Sequence, residues 1–318
     1  MPGPPDHHSF IRYLEAKKSI DDRALNQAVW QHLTELLSEL QSRKDLTILE
    51  VGCGIGTMVE RMLDRRLFTR ATYTAVDLQP ELVAEARTRL RGYAAKQGLE
   101  VRDGAEGTLL LEGTDGRVAV RFVASDLFDL AGDERLDHSC DLIVAHAFLD
   151  LVDLDSALHN LLTFVRPGGL LYFTLNFDGA TIFEPQVDSV LDQQIEALYH
   201  ETMDIREAGR KASRMSRTGR RLLAFLARAG IPILSAGGSD WVVHPNFAGY
   251  SPDEIYFLRF IMETIRGALT GKFDLDQRLF GDWIAERHRQ IESGELLYIA
   301  HQLDVLAQVP TSGRSLDQ

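Results

Sequence analysis

Apolar residues recur at helical spacing from Phe10 to Leu40 (Ile11, Leu14, Leu25, Val29, Leu33, Leu36, Leu37, Leu40), which predicts two helices with a break near Ser19-Ile20-Asp21-Asp22. Leu46 to Val51 is a short aliphatic run that ends in glycines, and Met58 to Leu67 returns to helical spacing. The succession repeats: Ala71 to Val76 reads as a strand capped by Asp77, and Pro80 opens a helix that runs to Tyr93. Thr108 to Leu111 and Arg117 to Val123 flank the turn Thr114-Asp115-Gly116, a hairpin decoration on a third parallel strand. Asp141 to Ala145 supplies a fourth strand and Leu154 to Phe164 a helix; Gly169 to Leu175 supplies a fifth strand after the turn Pro167-Gly168-Gly169. Strands and helices in this alternation argue for an open, mostly parallel sheet covered on both faces.

Beyond Asp178 the pattern changes. Pro185 to Arg210 is helical in character, and Arg217 to Ala229 is an amphipathic helix ending at Gly230. Ile231 to Leu234 and Trp241 to Val243 read as strand segments divided by a bulge or bend at Gly237-Gly238. Pro252 to Ile291 is helical, Leu296 to Ile299 and Leu303 to Leu306 are strand material, and a polar tail follows.

Composition narrows the classes. The 318 residues are 45% hydrophobic and 25% charged, the make-up of an ordinary globular chain. Thirty-four Lys and Arg against 47 Asp and Glu leave a net charge of −13, which repels a phosphate backbone and argues against nucleic acid as a partner. The basic stretch Lys211 to Arg221 reads as a solvated helix start. Cys53 and Cys140 share no metal-ligand spacing, which suits a reducing, cytoplasmic home. Met1 to Ser9 lacks an apolar core and no run of about 18 apolar residues occurs, so secretion and membrane spanning are disfavoured.

The chemistry begins where the first strand ends, at Leu49-Glu50-Val51-Gly52-Cys53-Gly54-Ile55-Gly56. Alternate glycines let the backbone turn sharply and a ligand approach closely, and Asp77, at the end of the neighbouring strand, is placed to take a ribose hydroxyl pair. A dinucleotide fingerprint wants glycine at Thr57, and Glu50 adds a carboxylate that opposes a pyrophosphate but suits a ligand bearing an ammonium and a sulfonium. In order and spacing, Glu50 to Gly56 resembles the E-x-G-x-G-x-G motif of the class I S-adenosylmethionine (SAM)-dependent methyltransferases. Four further pieces between Leu46 and Phe177 resemble that family's in the same order: Asp77-Leu78, Ala124-Ser125-Asp126-Leu127, Asp141 to His146, and Val165 to Leu170.

The resemblance implies a Rossmann-like α/β fold with seven strands, mostly parallel, helices on both faces and an antiparallel last strand. Ile231 to Val243 would be the sixth strand and Leu296 to Leu306 the seventh. It implies SAM as cofactor, held by Glu50, Gly52, Cys53, Gly54 and Gly56, by Asp77 and Leu78 at the ribose, by Asp126 and Leu127 at the adenine, and by Ala145 and His146 near the methyl donor. The chain then divides into an N-terminal helical lid segment (1–45), the core (46–178), a helical segment with a core helix and sixth strand (179–245), a helical lid insertion (246–293), the last strand (294–308) and a tail (309–318).

Methyl transfer from a sulfonium depends on in-line positioning and exclusion of water, and a general base is optional. His146 is the first candidate base, with a pocket-wall role as the alternative. Asp150 and Asp153 follow it but also suit a helix N-terminus. Ala145-His146-Ala147-Phe148 stands where amino-methylating nucleic-acid enzymes of the family carry Asp/Asn-Pro-Pro-Tyr/Phe, which argues for another acceptor class. Acids are not clustered at strand ends, so no metal is expected. For the acceptor, Tyr13, Lys17, Lys18 and Arg23 on the first helices, Asp178, and an aromatic pair Trp241 and Tyr250 are candidates, each with a packing or solvent-facing alternative. The reading is a methyltransferase acting on a small-molecule acceptor enclosed under the helical lid. Protein methylation, a SAM-binding subunit or sensor without turnover, and a nicotinamide oxidoreductase remain as alternatives; the oligomeric state is left open.

Overall fold

Val51 and Leu49 point to one side of the first strand while Ile48 and Glu50 point to the other, and all four are buried, as a central parallel strand requires. The computed structural model describes residues 7–114, 116–130, 132–133, 135–204 and 215–311. In chain order the elements are α1 (His7–Ala24), α2 (Gln27–Gln41), β1 (Leu46–Val51), α3 (Thr57–Asp64), β2 (Arg70–Asp77), α4 (Pro80–Lys96), β3 (Glu100–Asp103), β4 (Thr108–Gly113) and β5 (Gly116–Ala124). They continue with β6 (Cys140–His146), α5 (Leu154–Phe164), β7 (Val165–Glu184), α6 (Ser189–Asp204), α7 (Thr218–Arg228), β8 (Ile233–Gly238), β9 (Trp241–Val243), α8 (Pro252–Leu269), α9 (Gln277–Ser293) and β10 (Leu297–Gln308). Asp115, Lys211 to Arg214, and the tail beyond Thr311 lie outside the described residues.

The described residues fall into two compact units: one drawn from those within 7–25, 177–218 and 239–302, the other from those within 26–176, 219–238 and 303–311. The second is the Rossmann-like unit. Its strand order is β3-β4-β5-β2-β1-β6-β7-β10-β8, with β1 parallel to β2 and β6, β2 parallel to β5, β6 parallel to β7, and β10 antiparallel to β8. Leu171 and Phe173 of β7 join Leu49 and Val51 of β1 in a core with Leu158 and Leu161 of α5 and Leu222 and Leu226 of α7. Tyr172, between them, turns to the opposite face and meets Trp30 of α2 edge-on at 6.0 Å. The alternation therefore covers both faces of the sheet. The sheet is larger than the seven strands expected, because β3 and β4 extend it beyond β5 as antiparallel neighbours and β9 pairs with β10.

Several boundaries correct the sequence reading. The first helix runs through Ser19 to Asp22, since Asp21 and Asp22 pair with Lys17 (2.7 Å) and Lys18 (2.8 Å) one turn earlier. The break falls at Asn26, whose side chain caps α2 by accepting from the Val29 N–H. Hence α2 belongs to the Rossmann-like unit, whereas residues 1–45 were expected to act as one segment. The Pro167-Gly168-Gly169 sequence sits in β7 as a bulge: Cys140 pairs with Val165 and Leu142 with Leu170, so four residues of β7 face Asp141 alone. Asp141 holds this bulge through Arg166, and holds β1 through the Thr47 N–H and Lys44. Gly237 and Gly238 lie inside β8, and the chain leaves the strand after them. A Cβ on Gly237 would come 2.3 Å from the Asn26 amide nitrogen, so the glycine is there for the close approach of the α2 cap. Asp304, fully buried on β10, ties this region together: its carboxylate accepts from the Asn26 N–H at 2.9 Å and the Leu175 N–H at 2.8 Å. Without it, two backbone donors would lose their partner at about 1–3 kcal/mol each.

The first unit is mostly helical. Its core joins Tyr13 and Ile20 of α1, Ile195 and Leu198 of α6, Phe257, Ile261 and Ile265 of α8, and Phe280 and Trp283 of α9. Phe257, Ile261 and Ile265 keep the helical spacing read from the sequence and are buried. Ser251 and Glu254 form a reciprocal capping box that starts α8, and Asp276 caps α9. No described helix is long and apolar enough to cross a membrane.

Candidate functional site

The glycine turn leaves β1 with Gly52, Gly54 and Gly56 all at positive φ (66°, 51° and 76°), backbone conformations that side-chain-bearing residues rarely adopt. The Cys53 N–H bonds to the Val76 carbonyl at 2.9 Å, which clamps the turn onto the end of β2. Asp77 completes the clamp: one carboxylate oxygen accepts from the Gly54 N–H at 2.9 Å and the other from the Gln79 N–H at 3.0 Å. Burial pushes the Asp77 carboxyl up, while the backbone donors at Gln79, Gly54 and Leu78 pull it back. The two oxygens offer about four acceptor sites, and what these backbone donors leave is what a ribose hydroxyl would use.

Beside Asp77, Leu78 is 64% exposed, and Phe128, which follows the Asp126-Leu127 pair, is 42% exposed. Asp126 accepts from the Phe128 N–H at 2.9 Å, which fixes the loop after β5. Leu127, expected at an adenine ring, is instead turned into the core with Leu130 and Leu136. Phe128, one residue beyond the matching motif, is not among the candidates read from the sequence. Ala145 is likewise buried, paired between Val51 and Phe173, and presents no side-chain surface. Cys53 is buried, and burial raises its thiol well above the usual range, so it serves as a small packing residue in the turn.

Glu50 faces inward. Its carboxyl is buried and accepts from the Tyr73 hydroxyl at 2.7 Å. Burial pushes it up to about 8, against the Tyr73 bond and the buried Arg61, which both favour the charged form. The folded value lies above the unfolded one, so the stability this group confers is present at low pH and lost as pH rises from about 4.5 through about 8. A Glu50→Gln variant keeps an oxygen for Tyr73 and loses the charge. Thermal unfolding of the free protein should therefore fall by several degrees between pH 6 and pH 9, and the variant should flatten that fall; equal slopes would contradict it.

His146, at the end of β6, is buried, and its Nδ1 lies 2.8 Å from the Thr174 hydroxyl of β7. The next residue, Ala147, takes a positive φ of 49°, and its N–H bonds to the Thr174 carbonyl. That turn lays Phe148 over Gly52: a Cβ there would stand 2.3 Å from the Phe148 ring. Asp153 caps α5 by accepting from the Ser156 N–H at 3.0 Å, a structural use of its carboxylate.

The acceptor candidates lie in the helical unit. Lys17 is buried against Asp21 and stands over the Trp241 ring at 5.2 Å, and the Trp241 indole donates to Asp21 at 2.9 Å. Tyr13 stacks on Phe260 at 4.0 Å and on Phe257 at 5.8 Å. Tyr250 donates to the Leu296 carbonyl, and its half-buried hydroxyl is pushed up to about 12 by burial. Arg23 is half exposed and pairs with Glu254 at 2.8 Å. The structure thus brings Lys17, Trp241 and Tyr13 together as packing around Phe257. Asp178, buried on β7, lies 4.0 Å from His301 of β10, a residue the sequence reading did not single out. Among the described residues, no three His, Cys, Asp or Glu side chains are grouped to hold a metal ion.

A glycine turn tied by an acid to the adjacent strand, at the carboxyl ends of parallel strands, defines a nucleotide-type site of a Rossmann-like protein. Residues 49–171 match the model of a methyltransferase domain family. Over 129 residues (39% of the chain) the sequence is 34% identical to a non-reducing polyketide synthase of Macrophomina phaseolina, of which the match covers 5%. Over 172 residues (53% of the chain) it is 28% identical to a malonyl-[acyl-carrier protein] O-methyltransferase of a Paenibacillus species, of which the match covers 51%. A SAM-dependent methyltransferase from Thiobacillus denitrificans, solved with S-adenosylhomocysteine (SAH), aligns over 88% of this chain and 92% of its own, with a TM-score of 0.43 and 13% identity.

Proposed function

We propose that the protein transfers the methyl group of SAM to a small organic acceptor. The observation that carries this reading is the bond from the Gly54 N–H to Asp77, which joins the glycine turn to the acid that would hold a ribose. The cofactor fits the residues present: Asp77 keeps acceptor sites for the ribose, exposed Leu78 and Phe128 offer apolar surface for a purine, and the turn offers backbone at close range. When bound, the sulfonium supplies an electrophilic methyl group. The chain's own task is to hold, orient and desolvate the partners. Glu50, near the end of β1, is held by the Tyr73 hydroxyl of β2, and His146 braces the end of β6 through Thr174. The helical unit is assigned to the acceptor, and its role as a lid belongs to this reading. A small acceptor is in keeping with the name of the malonyl-[acyl-carrier protein] O-methyltransferase relative.

Calorimetry with SAH and with NADH tests the reading. Micromolar binding of SAH alone is the expected result, and binding of NADH alone would replace the methyltransferase with an oxidoreductase.

A further inference from the structure

The helical unit carries an apolar groove with an aromatic knob beside it. A cavity of about 780 Å³ opens between α9 and the segment entering α6, lined by Val187, Val190, Leu191, Leu279 and Trp283. Val190 is 74% exposed and Leu279 41%, so apolar surface faces water there. The walls are fixed, because Asp192 of α6 accepts from the Trp283 indole of α9 at 2.5 Å and from the Val187 N–H at 3.0 Å. Phe273, in the loop between α8 and α9, is 98% exposed. That loop is fixed too: the Gln277 amide donates to the carbonyls of Lys272 (3.1 Å) and Leu275 (3.2 Å) and accepts from the Gly271 N–H at 2.9 Å. The next residue, Asp274, accepts through its carbonyl from the Gln194 side chain at 2.7 Å, and Gln194 lines the groove. Knob and groove are therefore neighbours on the surface of one unit.

We infer that this surface is a dimer interface, in which Phe273 of each copy enters the groove of the other. Aromatic side chains are enriched in the cores of such contacts, and a preformed loop facing a preformed groove spares the cost of ordering either on association. A second copy is the occupant because both halves of the contact lie side by side on the same chain. A two-fold axis running between them sets each ring over the other groove and closes the pair. Charge agrees with this: Asp188, Asp282 and Glu286 also line the groove, while Lys272 immediately precedes the ring. Asp282 and Glu286 meet Arg278 at 3.3 Å and Arg289 at 2.6 Å in exposed pairs that water screens, which leaves the rim acidic toward an incoming lysine. The same carboxylates would repel an anionic membrane.

Sedimentation velocity of the full chain between about 1 and 100 μM should show a monomer passing into a dimer. Phe273→Ala and Val190→Asp, both at positions open to water, should each weaken that dimer by about 100-fold or more, with helix content by circular dichroism unchanged. A mixture of the two variants is the sharper measurement. The Phe273→Ala copy keeps its groove and the Val190→Asp copy keeps its ring, so one of the two contacts returns and a mixed dimer should form more tightly than either variant does alone. A wild type that stays monomeric at about 100 μM, a dimer indifferent to both substitutions, an assembly that grows past two copies, or a mixture no tighter than its parents overturns the inference.

Discussion

Replacing Asp77 with alanine is expected to weaken SAH binding by about two orders of magnitude, close to 3 kcal/mol, because both the ribose acceptors and the anchor of the turn disappear. The carboxylate bonds the N–H groups of Gly54 and Gln79, so its loss frees the turn as well as removing the ligand's partner. Asp77→Asn separates the two contributions. The amide oxygen can still accept from one backbone donor while the amide NH2 faces the other, so the variant should lose less melting temperature than Asp77→Ala but most of the affinity. Calorimetry and thermal unfolding of both variants read this out, and full affinity in Asp77→Ala would remove the ribose from this place.

Gly52→Ala is expected to destabilise the protein by roughly 2–4 kcal/mol, from backbone strain at a positive φ and from overpacking. The added Cβ would meet the Phe148 ring at 2.3 Å and the Phe148 Cβ at 3.0 Å, so the whole side chain must move and not merely its tip. The two causes can be told apart. In the background of Phe148→Ala the clash is gone and only the strain at φ 66° remains, so Gly52→Ala should cost measurably less there than in the wild type. Urea unfolding of the four proteins gives the coupling, and strict additivity would mean that the ring does not rest on the glycine.

The residues that mark the fold in the sequence are those whose local chemistry is forced. Gly52, Gly54 and Gly56 had to be glycine for the turn, Asp77 had to end its strand, and Leu154 to Phe164 kept a clean helical period, so all three features stand where periodicity placed them. The errors came from partners distant in the sequence or hidden from a hydrophobic pattern. Asp21 and Asp22 look like a helix break, but ion pairs one turn back keep them helical. β3, with the sequence Glu-Val-Arg-Asp, offers no alternation of apolar residues and exists because β4 pairs with it. The bulge at Pro167 to Gly169 looked like the start of a strand that had in fact begun at Val165. Asp77 was legible because it borders the glycine turn, whereas the contact of His146 with Thr174 spans 28 positions and leaves no local trace.

β10 is the latest described strand in chain order, yet it lies inside the sheet, between β7 and β8. During synthesis, β7 and β8 must therefore wait, each with an open edge, until residues 297–308 have left the ribosome. The stretch made in between, which carries α8 and α9, sets the length of that exposure. A ribosome that pauses over those helices would prolong the interval in which an unpaired edge is open to another nascent chain, and holding chaperones should engage the polypeptide at that stage.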